Sequence, residues 1–168
     1  MIPPGASEGA QHDYYEQGEF SARIEHEVGE QPDWTKFREH QWCLRDGSLL
    51  EIGPGTGHFL AAARDAGFST LGIEASAYHR DYIYRKWHIE TKSDPLEKNA
   101  LAPETFDNRV SFNCLEHIYD PASHFAAGYR VLKPGGRFLS STCNADALVA
   151  RLVGRYWSTF KPADHALV

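Results

Sequence analysis

A carboxylate and three glycines alternate along one short segment of the chain. Glu51, Gly53, Gly55 and Gly57 occupy every second position, directly after a run of apolar residues. Glycine at alternate positions lets the backbone turn sharply and lets a ligand approach the main chain closely. A helix that follows such a turn offers free N–H groups at its start. The segment therefore predicts a turn that binds a ligand through its backbone.

A second carboxylate, Glu74, ends the next apolar run, 19 positions after Gly55. Each of its oxygens can accept a hydrogen bond from one hydroxyl of a ribose, which indicates a nucleoside ligand, and Ala75 would line the same edge. A dinucleotide-binding turn would read GxGxxG, and its third glycine falls on His58 in one frame and on Leu60 in the other. The pattern fails in both frames, so a nicotinamide cofactor is the weaker alternative.

A third motif begins at Phe106 and carries a more specific signal. It combines Phe-Asp at positions 106–107 with Leu-Glu-His at 115–117 and Arg-Val-Leu-Lys-Pro-Gly-Gly at 130–136. Together with the glycine turn, these motifs resemble the class I S-adenosylmethionine-dependent methyltransferases, in a broad group that contains many small-molecule methyltransferases. The resemblance covers about residues 48–165 and leaves the substrate open.

The resemblance implies S-adenosylmethionine as the cofactor and a set of residues that hold it. Glu51 would contact the cofactor's ammonium group, directly or through water, or would brace the loop. Asp94 would meet the adenine amino group and Leu96 would pack on the ring, unless both are plain loop residues. Asn113 would face the methionine region or the reacting centre. The implied cofactor-binding residues are Glu51, Gly53, Gly55, Gly57, Glu74, Ala75, Asp94, Leu96 and Asn113.

The same resemblance implies methyl transfer to a small-molecule acceptor, with oxygen favoured over nitrogen or carbon. His117 is the candidate base that takes a proton from an attacking hydroxyl, and its alternative role is to support the loop. The aromatic stretch around Trp157 and the Pro-x-x-His segment that ends at His165 resemble the part that closes over the substrate, or they pack in a core. An N-terminal helix around residues 34–42 would help to exclude water.

Alternating strands and helices must position these residues. Apolar runs predict strands at residues 48–52, 69–73, 87–91, 109–114 and 137–142, and helical spacing predicts helices at 57–66, 77–86, 121–132 and 145–155. This alternation is typical of right-handed βαβ units, and so of a doubly wound, mostly parallel α/β sheet with the Rossmann-like methyltransferase fold. Ligands bind such sheets outside the carboxyl ends of the strands, where the motifs above fall.

Arg109 departs from the family pattern, which has an apolar residue at this point. A charged group in a buried central strand is costly unless it is paired. We therefore expect either that the strand begins later, near Val110, or that Arg109 reaches the surface or a partner acid.

Length and composition limit the classes of function. The 168 residues suit a leader and lid helix at 1–46 and a cofactor-binding core at 47–168, and the net charge of −6 argues against a nucleic-acid partner. The three cysteines, Cys43, Cys114 and Cys143, show no zinc spacing, so we expect no metal. No apolar run is long enough for a membrane span, and the N-terminus lacks the pattern of a secretory signal. We therefore expect a cytoplasmic protein without a membrane partner.

The resemblance also implies a further helix and an antiparallel hairpin, which the chain does not reach before Val168. We expect from this a shortened chain, or a partner that supplies the missing edge. An unprotected fifth strand is open to association, which predicts a homodimer through the sheet edge. Three functions follow: a small-molecule methyltransferase, a nicotinamide-dependent oxidoreductase, or a non-catalytic fragment that binds a cofactor or a partner.

Overall fold

Five parallel strands form one sheet in the order β3-β2-β1-β4-β5. The computed structural model describes residues 31–144; the predicted leader, the helix at 145–155, Trp157 and His165 lie outside the described residues. All carboxyl ends lie at one edge of the sheet, and the order reverses between β1 and β4. The predicted doubly wound sheet is confirmed. Its strands are β1 Ser48–Ile52, β2 Ser69–Ile73, β3 Thr91–Lys92, β4 Phe106–Phe112 and β5 Leu132–Ser141.

Four α-helices surround the sheet in the described part of the chain, and none of them is long and apolar enough to cross a membrane. Side-chain oxygens of Asp33, Ser76 and Asp120 each accept a hydrogen bond from the amide of the third residue of a helix, which fixes where these three helices begin. Short 3-10 turns lie at Gln41–Cys43 and Leu115–His117. The helices are α1 Trp34–His40, α2 His58–Asp65, α3 Ala77–Trp87 and α4 Pro121–Val131.

Two apolar clusters cover the two faces of the sheet. Neighbouring residues of β1 point to opposite faces, so Leu49 belongs to one cluster and Leu50 to the other. The first face packs against α1, α2 and α3, and the second packs against α4. The buried members on the first face include Phe37, Phe59, Leu60, Ile83, Trp87, Val110 and Phe112, and those on the second include Ile52, Ile73, Leu96, Ala127 and Val131.

The prediction of a third strand at residues 87–91 is wrong over most of its length. Helix α3 continues to Trp87, and only Thr91–Lys92 pairs with β2. The buried indole of Trp87 donates a 2.8 Å hydrogen bond to the carbonyl of Thr56, which holds this residue at the helix end. His88 then ends the helix in the left-handed conformation, with φ of 54°.

The suggestion that the fourth strand begins near Val110 is also wrong. Strand β4 begins at Phe106, and Arg109 lies within it, paired with Leu50 of β1. Only 1 % of Arg109 is exposed, so its charge lies in the interior, between the sheet and α4. The strand tolerates this charge because of the contacts that the guanidinium makes.

The guanidinium of Arg109 contacts Nε2 of His124 on α4 and lies over the ring of Phe138, 4.5 Å from its centroid. An acid also lies near this pair: a carboxylate oxygen of Glu97 is 3.5 Å from Nδ1 of His124, and the charge of Glu97 raises the pKa of Arg109 in part. Burial and the charge of Arg109 lower the pKa of His124 to about 4. The imidazole is therefore neutral at pH 7 and does not repel the guanidinium.

Candidate functional site

The glycine turn lies at the carboxyl end of β1. Gly53, Gly55 and Gly57 have φ of 66°, 56° and 74°, a left-handed conformation that favours glycine. A Cβ on Gly53 would lie 2.8 Å from the sulfur of Cys114, whereas a Cβ on Gly55 would meet nothing within 4 Å. The turn therefore has the predicted sharp geometry, and it leaves open space over Gly55.

The carboxylate of Glu74, directly after β2, is tied to this turn. One oxygen accepts a 2.9 Å hydrogen bond from the amide of Gly55, and the other accepts a 2.9 Å bond from the amide of Ser76. Nδ1 of His79 lies 3.7 Å from the second oxygen, and Glu74 itself is 7 % exposed. Each carboxylate oxygen has a further lone pair. Glu74 can therefore still accept hydrogen bonds from two hydroxyl groups of a ligand.

Glu51 lies in β1, next to the end of the strand, and is 3 % exposed. Its Oε2 has no hydrogen-bond partner among the described residues. Burial raises the pKa of this carboxyl to about 8; Lys36 lowers it in part, and the negative charge of Glu74 raises it further. A buried polar oxygen without a partner is rare in native proteins. Glu51 thus offers an unused acceptor beside the glycine turn.

His58 takes the position at which a dinucleotide-binding turn has its third glycine. Its Nδ1 lies 2.9 Å from the hydroxyl oxygen of Thr56, and its ring packs edge-on against Trp87 at 5.1 Å between centroids. The residue is buried, so the imidazole belongs to the interior behind the turn. A pyrophosphate-binding turn that needs glycine here does not fit this packing.

Asn113 and His117 follow β4 at the same edge. Asn113 is exposed, has φ of 50°, and donates its amide to the carbonyl of Ser141 at the end of β5, at 2.9 Å. His117 is half-buried in a 3-10 turn, where its amide donates to the carbonyl of Cys114. Both residues therefore lie on the carboxyl side of the sheet, as the sequence predicts.

Of the other residues predicted to contact the cofactor, Ala75 and Asp94 are at least partly exposed, whereas Leu96 is buried. Ala75 is half-buried directly after Glu74, and its carbonyl accepts a 2.5 Å hydrogen bond from the guanidinium of Arg80. Asp94 is exposed in the loop after β3. Leu96, in contrast, is only 1 % exposed and packs in the apolar core on the second face of the sheet. Its side chain therefore presents no surface on which an adenine ring could pack.

One basic residue lies at this edge although none of the sequence motifs includes it. The ammonium nitrogen of Lys36, on α1, lies 4.0 Å from the centroid of the Phe112 ring, at the end of β4. The spacing of Trp34 and Phe37 predicts the helix, but it does not indicate where a lysine on that helix meets the sheet. No local signal in the sequence would have found this contact.

The edge as a whole fits the groups of S-adenosylmethionine. Glu74 has two acceptor oxygens suited to a ribose, the space over Gly55 is open, and Glu51 has an acceptor oxygen suited to an ammonium group. A parallel sheet with a glycine turn after β1 and an acid after β2 defines the class of nucleoside-binding α/β domains. The sequence profile of the methyltransferase domain family matches residues 25–167. The chain belongs to this family, within the class I S-adenosylmethionine-dependent methyltransferases.

Relatives and solved structures agree with this membership. Ubiquinone biosynthesis O-methyltransferase of Cereibacter sphaeroides is 30 % identical over 118 residues, which cover 65 % of this chain and 47 % of that protein. The chain thus spans about half the length of the curated relatives that it matches.

Two solved methyltransferases share the fold. An S-adenosylmethionine-dependent methyltransferase of Thermotoga maritima has a TM-score of 0.61 at 20 % identity. The superposition covers 84 % of this chain and 62 % of the Thermotoga chain. Geranyl diphosphate C-methyltransferase of Streptomyces coelicolor, in complex with S-adenosyl-L-homocysteine, has a TM-score of 0.57 at 19 % identity, with 63 % and 42 % covered. At these identities the likeness concerns the fold alone.

Proposed function

We propose that the chain forms the cofactor-binding part of an enzyme that transfers a methyl group from S-adenosylmethionine to an oxygen atom of a small molecule. One arrangement carries the proposal: the unpartnered Oε2 of Glu51, the open space over Gly55 and the carboxylate of Glu74 all lie at the carboxyl ends of β1 and β2. These three features match the ammonium group, the connecting chain and the ribose of one ligand.

Each residue at the edge would then have a separate task. Glu74 would accept hydrogen bonds from the ribose hydroxyls, and Glu51 would accept one from the ammonium group. Asp94, exposed after β3, would reach the adenine amino group. Asn113, exposed after β4, would face the methionine region. When bound, the cofactor supplies an electrophilic methyl group, and these residues would orient it for in-line attack.

Oxygen as the attacked atom is supported by the relative from Cereibacter sphaeroides, which is named an O-methyltransferase. A hydroxyl must lose its proton as its oxygen becomes bonded to the methyl group. His117, half-buried on the carboxyl side of the sheet, is the residue that we propose accepts this proton. An imidazole suits this role because its ordinary pKa lies near neutral pH.

Calorimetric titration of the full chain with S-adenosylmethionine, S-adenosylhomocysteine and NAD tests the cofactor. We expect heat of binding with the first two ligands and none with NAD. Binding of NAD without a response to S-adenosylhomocysteine would refute the proposal.

The acceptor needs a separate measurement. Release of S-adenosylhomocysteine can be followed in the presence of phenolic, amine and activated-carbon acceptors of similar size. Turnover with phenols is expected, and turnover confined to amines would contradict O-methylation while leaving the cofactor assignment intact.

A further inference from the structure

Lys36 is held in a fixed place over the end of the sheet. The carboxylate of Asp33 accepts the backbone amide of Lys36 at 2.9 Å, and the amide of Asp33 donates to the carbonyl of His58 at 3.0 Å. The next residue, Phe37, is buried and packs against Phe59 with 5.8 Å between ring centroids. These contacts fix α1 against the start of α2, so the backbone from which the Lys36 side chain extends is held in place.

The ammonium group of Lys36 lies over the face of Phe112, 4.0 Å from the ring centroid. A cation over an aromatic ring is favourable, but the ring uses none of the three N–H donors of the ammonium group. Phe112 ends β4, and β4 pairs with β1, where Glu51 is located. Glu51 and Lys36 are close enough for the lysine charge to act on the carboxyl group.

One acidic and one basic group therefore stand together at the carboxyl ends of β1 and β4. Glu51 is buried and has an oxygen without a partner in the described part of the chain, so it points to a ligand group that donates hydrogen bonds. Lys36 supplies a positive charge within the same small region, beside the hydrogen-bond acceptor of Glu51. A pair of this kind is complementary to a zwitterion, whose carboxylate and ammonium groups are separated by one carbon atom.

We propose that Lys36 binds the α-carboxylate of the cofactor's methionine portion, while Glu51 binds its α-ammonium group. This assignment rests on the proposed function, because it concerns the same cofactor site. It makes Lys36 a binding residue that recognises the amino-acid end of the ligand, in addition to its contact with Phe112. The alternative is a purely structural lysine that holds α1 against the sheet.

Calorimetry can test this assignment by two changes, made separately. One removes the carboxylate from the ligand, and the other removes the charge of Lys36 from the protein. The ligands are S-adenosylhomocysteine and its decarboxylated form, S-adenosyl-3-thiopropylamine, titrated into the full chain by calorimetry. The variants are Lys36→Met, Lys36→Arg and Lys133→Met. Lys133 is a matched control, because it is an exposed lysine paired with Asp107 near the opposite end of β4.

For the unchanged chain, loss of the ligand's carboxylate is expected to weaken binding about 10-fold to 100-fold, the usual range for a charged hydrogen bond. Lys36→Met should weaken binding of S-adenosylhomocysteine by a similar factor and leave the decarboxylated ligand nearly unaffected. Lys36→Arg should retain most of the affinity, and Lys133→Met should change neither ligand.

Two results would overturn the assignment. The first is that the unchanged chain binds both ligands equally. This measurement does not depend on whether any variant folds. Alternatively, Lys36→Met could weaken both ligands by the same factor, as expected for a structural lysine. Failure of the unchanged chain to bind either ligand would instead count against the proposed function itself.

Discussion

The guanidinium of Arg109 occupies the space that a side chain at Gly128 would need. A Cβ on Gly128 would lie 2.6 Å from Cζ of Arg109, and Gly128 is buried in α4. Glycine inside a helix is ordinarily about 1 kcal/mol less stable than alanine. At this position glycine instead allows a buried cation to fit between the helix and the sheet, so the two residues depend on each other.

Gly128→Ala is therefore expected to destabilise the protein, against the usual preference of helices for alanine. Overpacking of a full interior costs about 1–3 kcal/mol, so we expect the free energy of unfolding to fall by about 2 kcal/mol. In an Arg109→Met background, Gly128→Ala should raise the free energy of unfolding by about 0.5–1 kcal/mol. The clash with the guanidinium is then absent, and alanine has a higher helix propensity than glycine. Urea denaturation of the four chains measures both effects. Equal effects of Gly128→Ala in the two backgrounds would contradict the pairing.

Glu74→Ala is expected to weaken binding of adenosine and of S-adenosylhomocysteine at least tenfold, because two ribose hydroxyls lose their acceptor. Adenosine is included because it lacks the methionine portion and so isolates the ribose contact. Glu90→Ala removes an exposed acid elsewhere on the chain and serves as the control. Calorimetry gives the dissociation constants. Unchanged affinity for adenosine in Glu74→Ala would contradict the ribose assignment.

Gly55→Ala and Gly67→Ala form a matched pair of variants. Both glycines have positive φ, 56° and 99°, and a Cβ on either would meet nothing within 4 Å. Both variants should lose about 1–2 kcal/mol of stability through backbone strain. Only Gly55→Ala is expected to weaken binding of S-adenosylhomocysteine, because only its methyl group enters the space at the carboxyl edge. The assignment fails if the two variants bind this ligand alike.

Glu51 links stability to pH. Its pKa is about 8 in the folded protein, against an ordinary value of 4.5, and burial is the main cause. Between these two values the unfolded chain releases a proton that the folded chain keeps, so the contribution of Glu51 to stability is fully present below pH 4.5 and is lost as pH rises towards 8. Glu51→Gln should remove this dependence.

We therefore expect Glu51→Gln to raise the free energy of unfolding by about 4 kcal/mol at pH 8 and by less than about 1 kcal/mol at pH 5. The same variant should bind S-adenosylhomocysteine more weakly, since an amide cannot release a proton and become charged beside the ammonium group, as the carboxyl group can. Urea denaturation at several pH values checks the first effect, and calorimetry checks the second. Parallel stability curves for the two chains would contradict the assigned pKa.

The local parts of the site were predictable, whereas the contacts between distant elements were not. Alternating glycines after an apolar run, and an acid after the next run, are signals that a few neighbouring residues carry, and the turn and Glu74 lie where they were expected. His124, which contacts Arg109, is on α4, and this contact depends on how that helix is rotated against the sheet. The sequence pattern contains no information on that rotation.

The remaining errors have similar physical causes. Trp87 and Ile89 suggest a strand, because aromatic and β-branched residues favour one, but the packing of the indole extends the helix instead. The resemblance put Leu96 at the adenine ring unless it is a plain loop residue, and the structure places it in the same core cluster as Ile52 and Ile73. In both cases tertiary packing overrides a local preference.

The hydrogen bonds from Gly55 and Ser76 have a consequence for the entropy of recognition. A glutamate side chain that becomes ordered loses about 1.5–2 kcal/mol of rotamer freedom. For Glu74 this loss occurs when the chain folds, since both of its oxygens are held before any nucleoside arrives. The acceptor is thus preorganised, and the conformational penalty for docking a ribose is shifted from the binding equilibrium to the folding equilibrium.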